Sequence, residues 1–145
     1  MSDSSNSTIS IDATFAAVTD ALFALEKYPL WSTSIRAVEV LNSDDLGRIT
    51  KVKMTIDAGM MKDKVILDYD WSGSPERLSF SLDDADLLTG MDGAYIIKSI
   101  DEDTTQVTYE LTVSLSMPIP AIMRQKAEKS TIDQALSQLK ISLES

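Results

Sequence analysis

Gln125, Glu128 and Lys129 are the residues whose types and spacing bear most on chemistry in this chain. They fall in an uninterrupted helical stretch near its end. Counting back from Leu136 and Ile132 at about 100° per residue, Gln125 and Glu128 share the apolar face of that stretch, and Lys129 lies at its border. A carboxylate on a buried helix face can act as acid or base, because burial favours its protonated form, and a neighbouring amide or ammonium can orient a polar group of a ligand. Two readings stay open on this pattern. Either the polar half of the face overhangs a sheet edge into water, or it looks into a cavity.

The other chemistry is bounded by what is missing. The chain has no His and no Cys. That removes the usual general base near neutral pH, the commonest transition-metal ligands, the thiol nucleophile and any disulfide. Catalysis would have to come from carboxylates, Tyr, Lys or Ser/Thr. Gly90-Met91-Asp92-Gly93 is followed by no Gly-Lys-Ser/Thr and reads as a hairpin turn rather than a phosphate loop. Asp83, Asp84 and Asp86, and likewise Asp101, Glu102 and Asp103, lack calcium-loop spacing and read as solvated turns. No nucleophile elbow, zinc-protease or dinucleotide signature occurs, so no metal and no cofactor is expected.

The length of 145 residues suits one domain with a real core, expected over 8–145 after a flexible Ser/Asn-rich start, 1–7. The net charge of −10 argues against a nucleic-acid partner or an anionic membrane, since both attractions need clustered Lys and Arg. The short basic set Arg124, Lys126 and Lys129 does not reverse that balance. No apolar run reaches membrane-spanning length and no signal sequence is evident, so no membrane insertion and a cytoplasmic location are expected.

Thr8 to Asp12 alternates as a first strand, with Asp12 placed to cap a helix from Thr14 to about Lys27 that Pro29 ends. From Ser34 to Met117 the period is two. Val38 and Val40, then Val52, Met54, Ile56 and Ala58, then Val65, Leu67, Tyr69 and Trp71, each mark one face of a strand. Leu78, Phe80 and Leu82, then Tyr95 and Ile97, then Val107 through Met117 continue the pattern. Pro118 and Pro120 break it, and Ala121, Ile132, Ala135, Leu136, Leu139 and Leu143 recur at helical spacing to the end. The order strand, short helix, about six meandering antiparallel strands and long helix predicts an α+β fold whose sheet grips the last helix.

The inward set is then Trp31, Met54, Leu67, Tyr69, Trp71, Phe80, Tyr95 and Tyr109 from the shell, with Gln125, Glu128, Lys129 and Ile132 from the helix. Periodicity by itself favours a filled core with tyrosine hydroxyls at its rim. The alternative is an apolar pocket with a few convergent polar groups, the composition of a small-molecule site.

Several segments also resemble a known family. They are Ile9-Ser10-Ile11-Asp12-Ala13, Tyr28-Pro29-Leu30-Trp31, Val38-Glu39-Val40-Leu41, the Tyr69/Trp71 strand, Leu78 to Leu82, Gly93-Ala94-Tyr95, Thr105 to Leu111, Pro118-Ile119-Pro120, and Lys126 to Lys140. In this order they resemble the polyketide cyclase/dehydrase and lipid-transport branch of the START-like (SRPBCC, Bet v 1-like) superfamily, over about Ile9 to Glu144. The resemblance implies a helix-grip fold with a deep apolar cavity between curved sheet and C-terminal helix. It tips the balance from filled core to pocket, but fold does not fix function. Relatives often carry Asp where Ala24 stands and Trp where Phe80 stands, and the second difference alters pocket shape. The leading expectation is a binding protein for a hydrophobic or amphipathic small molecule such as a lipid, isoprenoid, quinone or polyketide-like compound. A cyclase or dehydratase using Glu128 is the second. The third is a protein-interaction module, for which Met123 and Ile141, off the main stripe, are the hint.

Overall fold

The alternating run forms strands throughout. The computed structural model describes residues 5–57 and 62–144. Ala58 and Gly59, expected at the end of one strand and in the turn after it, lie outside the described residues. The order is β1 (Ser5–Ile11), α1 (Phe15–Phe23), a 3-10 helix (Leu25–Leu30), β2 (Ile35–Ser43), β3 (Ile49–Asp57), β4 (Lys62–Asp70), β5 (Arg77–Ala85), β6 (Leu88–Asp101), β7 (Thr104–Leu115) and α2 (Ala121–Glu144).

The strands build one curved, open antiparallel sheet in the order β1-β7-β6-β5-β4-β3-β2. β1 and β2 are neighbours in sequence but stand at opposite edges, because α1 and the 3-10 helix carry the chain across. One sheet face is wet. The other buries Val52, Met54, Val65, Leu67, Leu78, Val107 and Leu111 against Ile132, Leu136 and Leu139 of α2 and Val18 and Leu22 of α1. Each such side chain contributes roughly 1.5–3 kcal/mol on burial. α2 lies over β1 and β7, and α1 over β6 and β7.

Several local expectations change. β1 starts at Ser5, so Ser5, Asn6 and Ser7, placed in the flexible start by composition, pair with Leu111, Glu110 and Tyr109. The N-cap of α1 is Thr14, whose Oγ1 accepts from Ala17 N at 3.1 Å, while Asp12 N donates to Glu144 Oε2 at 2.8 Å. α1 stops at Phe23, before the proline, and Pro29 sits inside the 3-10 helix. The Tyr28 hydroxyl donates to Leu22 O at 2.5 Å and folds that short helix back on α1.

The largest correction concerns Gly90 to Gly93. These residues are not a turn but the interior of β6, and Asp83 and Asp84 belong to β5. Gly93 is required by close approach: it pairs with Phe80 across the sheet, and a Cβ on it would lie 2.4 Å from Phe80 Cζ. The turn falls at 86–87 instead. It is organised by Asp63, 7% exposed, whose carboxylate accepts from Asp86 N at 3.1 Å, Leu87 N at 3.1 Å and Leu88 N at 2.8 Å.

Candidate functional site

A cavity of about 50 Å³ lies between the sheet and α2. With roughly 10–15 Å³ needed per water, it has room for a few waters or one small chemical group. Its floor is built by inward positions of five adjacent strands: Met54 and Ile56 of β3, Leu67 and Tyr69 of β4, Phe80 of β5, Met91 and Tyr95 of β6, and Tyr109 of β7. Thr131 and Ala135 of α2 form the roof. Tyr28, Ser32, Ser34 and Ile35, from the 3-10 helix to the start of β2, close one side.

The aromatic floor is set by register. Tyr95 and Tyr109 are cross-strand partners with rings stacked at 4.2 Å, and Tyr69 and Phe80 are partners at 5.5 Å. The side segment is tied to α2 by amides. Gln138 Oε1 accepts from Thr33 N at 3.0 Å and its Nε2 donates to Thr33 Oγ1 at 2.7 Å, while Ser34 Oγ donates to Gln134 Oε1 at 3.0 Å.

Burial holds the protonation state of this wall. It pushes Tyr28, Tyr69, Tyr95 and Tyr109, all four tyrosines of the chain, above the usual tyrosine range, and the neighbouring Tyr109 adds to the rise at Tyr69 and Tyr95. At neutral pH they are neutral hydroxyls. The lining therefore offers apolar surface, hydroxyl donors and hydroxyl acceptors, with no carboxylate, amine or guanidinium among the described residues that form it.

Of the residues picked out by sequence, Met54, Leu67, Tyr69, Phe80, Tyr95 and Tyr109 come together at the cavity. Trp31, Trp71, Ile132, Gln125, Glu128 and Lys129 do not line it. Trp71 Nε1 donates to Ile49 O at 2.7 Å, and its ring meets Phe23 edge-on at 5.1 Å, fastening α1 to the sheet. Trp31 sits edge-on to Tyr28 at 5.1 Å, with its buried Nε1 unpaired among the described residues. Ile132 is core.

Glu128 is buried on the face that the helical spacing assigns it, at 1% exposure, but its carboxylate is spent on structure. It accepts from Val113 N at 2.7 Å, Ser5 Oγ at 2.7 Å and Arg124 Nη1 at 2.8 Å. β1 is described as pairing with β7 no further than Leu111, and the Val113 N–H beyond that point takes Glu128 as its acceptor. Gln125 and Lys129 border an open groove beside β1, where Lys129 Nζ donates to Asn6 O at 2.7 Å and to Ser7 Oγ. Met123 and Ile141 are exposed, as are Met117 and Ile122.

Tyr28, Ser32, Ser34, Ile35, Ile56, Met91, Thr131 and Ala135 also line the cavity and were not expected there from sequence. Thr131 and Ala135 lie four apart, the spacing of one helix face, and Ile56 is in phase with Met54, so a period signal was present for these. The Ser32 to Ile35 segment has no periodicity that could place it.

Residues 8–140 match the family described as polyketide cyclase / dehydrase and lipid transport. Among solved structures, a START superfamily protein from Mycobacterium smegmatis superposes with a TM-score of 0.92 at 19% identity over 97% of each chain. A protein from Thermus thermophilus gives 0.82 at 20% identity, again over 97% of each chain. The Zhui aromatase/cyclase from Streptomyces sp. R1128 gives 0.76 at 13% identity over 98% of this chain and 93% of that one. At such identities the likeness establishes the fold alone, and it is the helix-grip fold expected. The search of curated proteins returned no match.

Proposed function

The chain belongs to the polyketide cyclase/dehydrase and lipid transport family, and from that premise we propose that it binds a hydrophobic or amphipathic small molecule between the sheet and α2. Candidates are a lipid, isoprenoid, quinone or polyketide-like compound. The observation that carries this reading is the apolar cavity between sheet and helix, edged with hydroxyls, the composition of a small-molecule site.

At about 50 Å³ the cavity is far below the roughly 300–1,000 Å³ of drug-sized sites, so binding requires it to widen. Its wall has the means. Met54 and Met91 are unbranched and can swing aside, and the 32–35 segment is fastened to α2 chiefly through Gln134 and Gln138. Binding is favoured over cyclisation or dehydration by the lining, whose described residues supply hydroxyls to orient a ligand and no group that titrates near neutral pH.

The test combines two measurements. Native mass spectrometry of protein purified from its own host should detect a bound hydrophobic molecule, and an environment-sensitive apolar dye should bind at one site. Ala135→Trp, which fills the roof, should abolish dye binding while circular dichroism stays unchanged. Equal dye binding by the folded variant would overturn the site, and absence of any bound apolar molecule in both measurements would overturn the function.

A further inference from the structure

We infer that the cavity selects uncharged ligands, ending in a hydroxyl, carbonyl or ether oxygen, over carboxylates and ammonium compounds of the same apolar body. This deepens the binding reading and rests on it.

A charged group moved into an apolar interior loses its hydration and is tolerated only where an opposite charge or several aligned hydrogen bonds replace it. Among the described residues, every polar side chain lining this cavity is a hydroxyl: Tyr28, Ser32, Ser34, Tyr69, Tyr95 and Tyr109 with Thr131. Some have their proton committed. Tyr28 donates to Leu22 O, Ser34 to Gln134 Oε1, and Thr131 to Ala127 O at 2.9 Å, which leaves them as acceptors for a ligand O–H. On the floor the Tyr95 hydroxyl donates to that of Tyr109, which leaves Tyr69 and Tyr109 as the protonated donors suited to a carbonyl or ether oxygen.

The buried charge on α2 is not available to either kind of ion. Glu128 is turned to Val113 N and neutralised by Arg124. The tyrosines stay un-ionised, so they give an ammonium group no anion, and the stacked faces of Tyr95 and Tyr109 are covered by each other rather than open to a cation. The net charge of −10 further disfavours an approaching anion.

The experiment uses one body with four ends: decanol, methyl decanoate, decanoate and decylammonium, each below its micelle-forming concentration. They compete for the apolar dye on the intact protein in about 0.15 M salt, which screens the net charge. Decanol and the ester should displace the dye at concentrations at least about tenfold lower than either ion. Decanoate should gain affinity as pH falls towards the range where it is the neutral acid. Decanoate or decylammonium binding as tightly as decanol would overturn the selectivity and leave the binding site standing. Failure of all four to displace the dye would overturn the binding reading itself.

Discussion

Glu128 shows what a single side chain can and cannot reveal in a sequence. Its helical phase was legible, because Ile132 and Leu136 define the face and the structure buries all three. Its task was not legible. The donors it serves, Ser5 Oγ and Val113 N, lie 123 and 15 residues away, and a period of 3.6 says nothing about what a face meets. A fully buried, three-fold hydrogen-bonded carboxylate is a docking residue. Glu128→Ala strands Arg124 and the Val113 N–H and should cost about 3 kcal/mol, read as a lower urea midpoint with unchanged slope. Apolar dye affinity of the folded variant should stay at the wild-type value. A wild-type midpoint would remove Glu128 from the structural account.

At the scale of elements, the strands were readable because alternation with one wet face leaves no other regular solution. The turns were less so. Gly90 and Gly93 carry the composition of a hairpin, yet Gly93 is glycine because Phe80 occupies the space of its side chain. Nothing local distinguishes those two reasons for a glycine. The true turn at 86–87 is held from another strand by Asp63, which lies in phase with Val65, Leu67 and Tyr69. An aspartate at an inward position was the available signal. Asp63→Ala removes the acceptor of four backbone N–H groups, those of Lys64, Asp86, Leu87 and Leu88, and should destabilise the protein by about 2 kcal/mol. Amide exchange should accelerate most at Asp86, Leu87 and Leu88, and protection unchanged there would refute the assignment.

For the molecule as a whole, the four buried tyrosines set an alkaline limit. Their folded values are raised above the ordinary 10.0 by burial, so stability is fully present below about pH 10 and is lost as pH rises beyond it. The sign follows from proton binding: above that point the unfolded chain holds fewer protons than the native one, and unfolding becomes easier. Tyrosinate absorbance should therefore appear together with the loss of circular dichroism, with no earlier step. A native-state step near pH 10 would show that a tyrosine is solvated. The sheet order has a consequence for synthesis. Thr8 meets Thr108 across 100 residues, so β1 stays without its strand partner until β7 has followed in synthesis. Closing that pair is a long-range step, and until β7 emerges β1 is a strand with an open edge, exposed to wrong pairings.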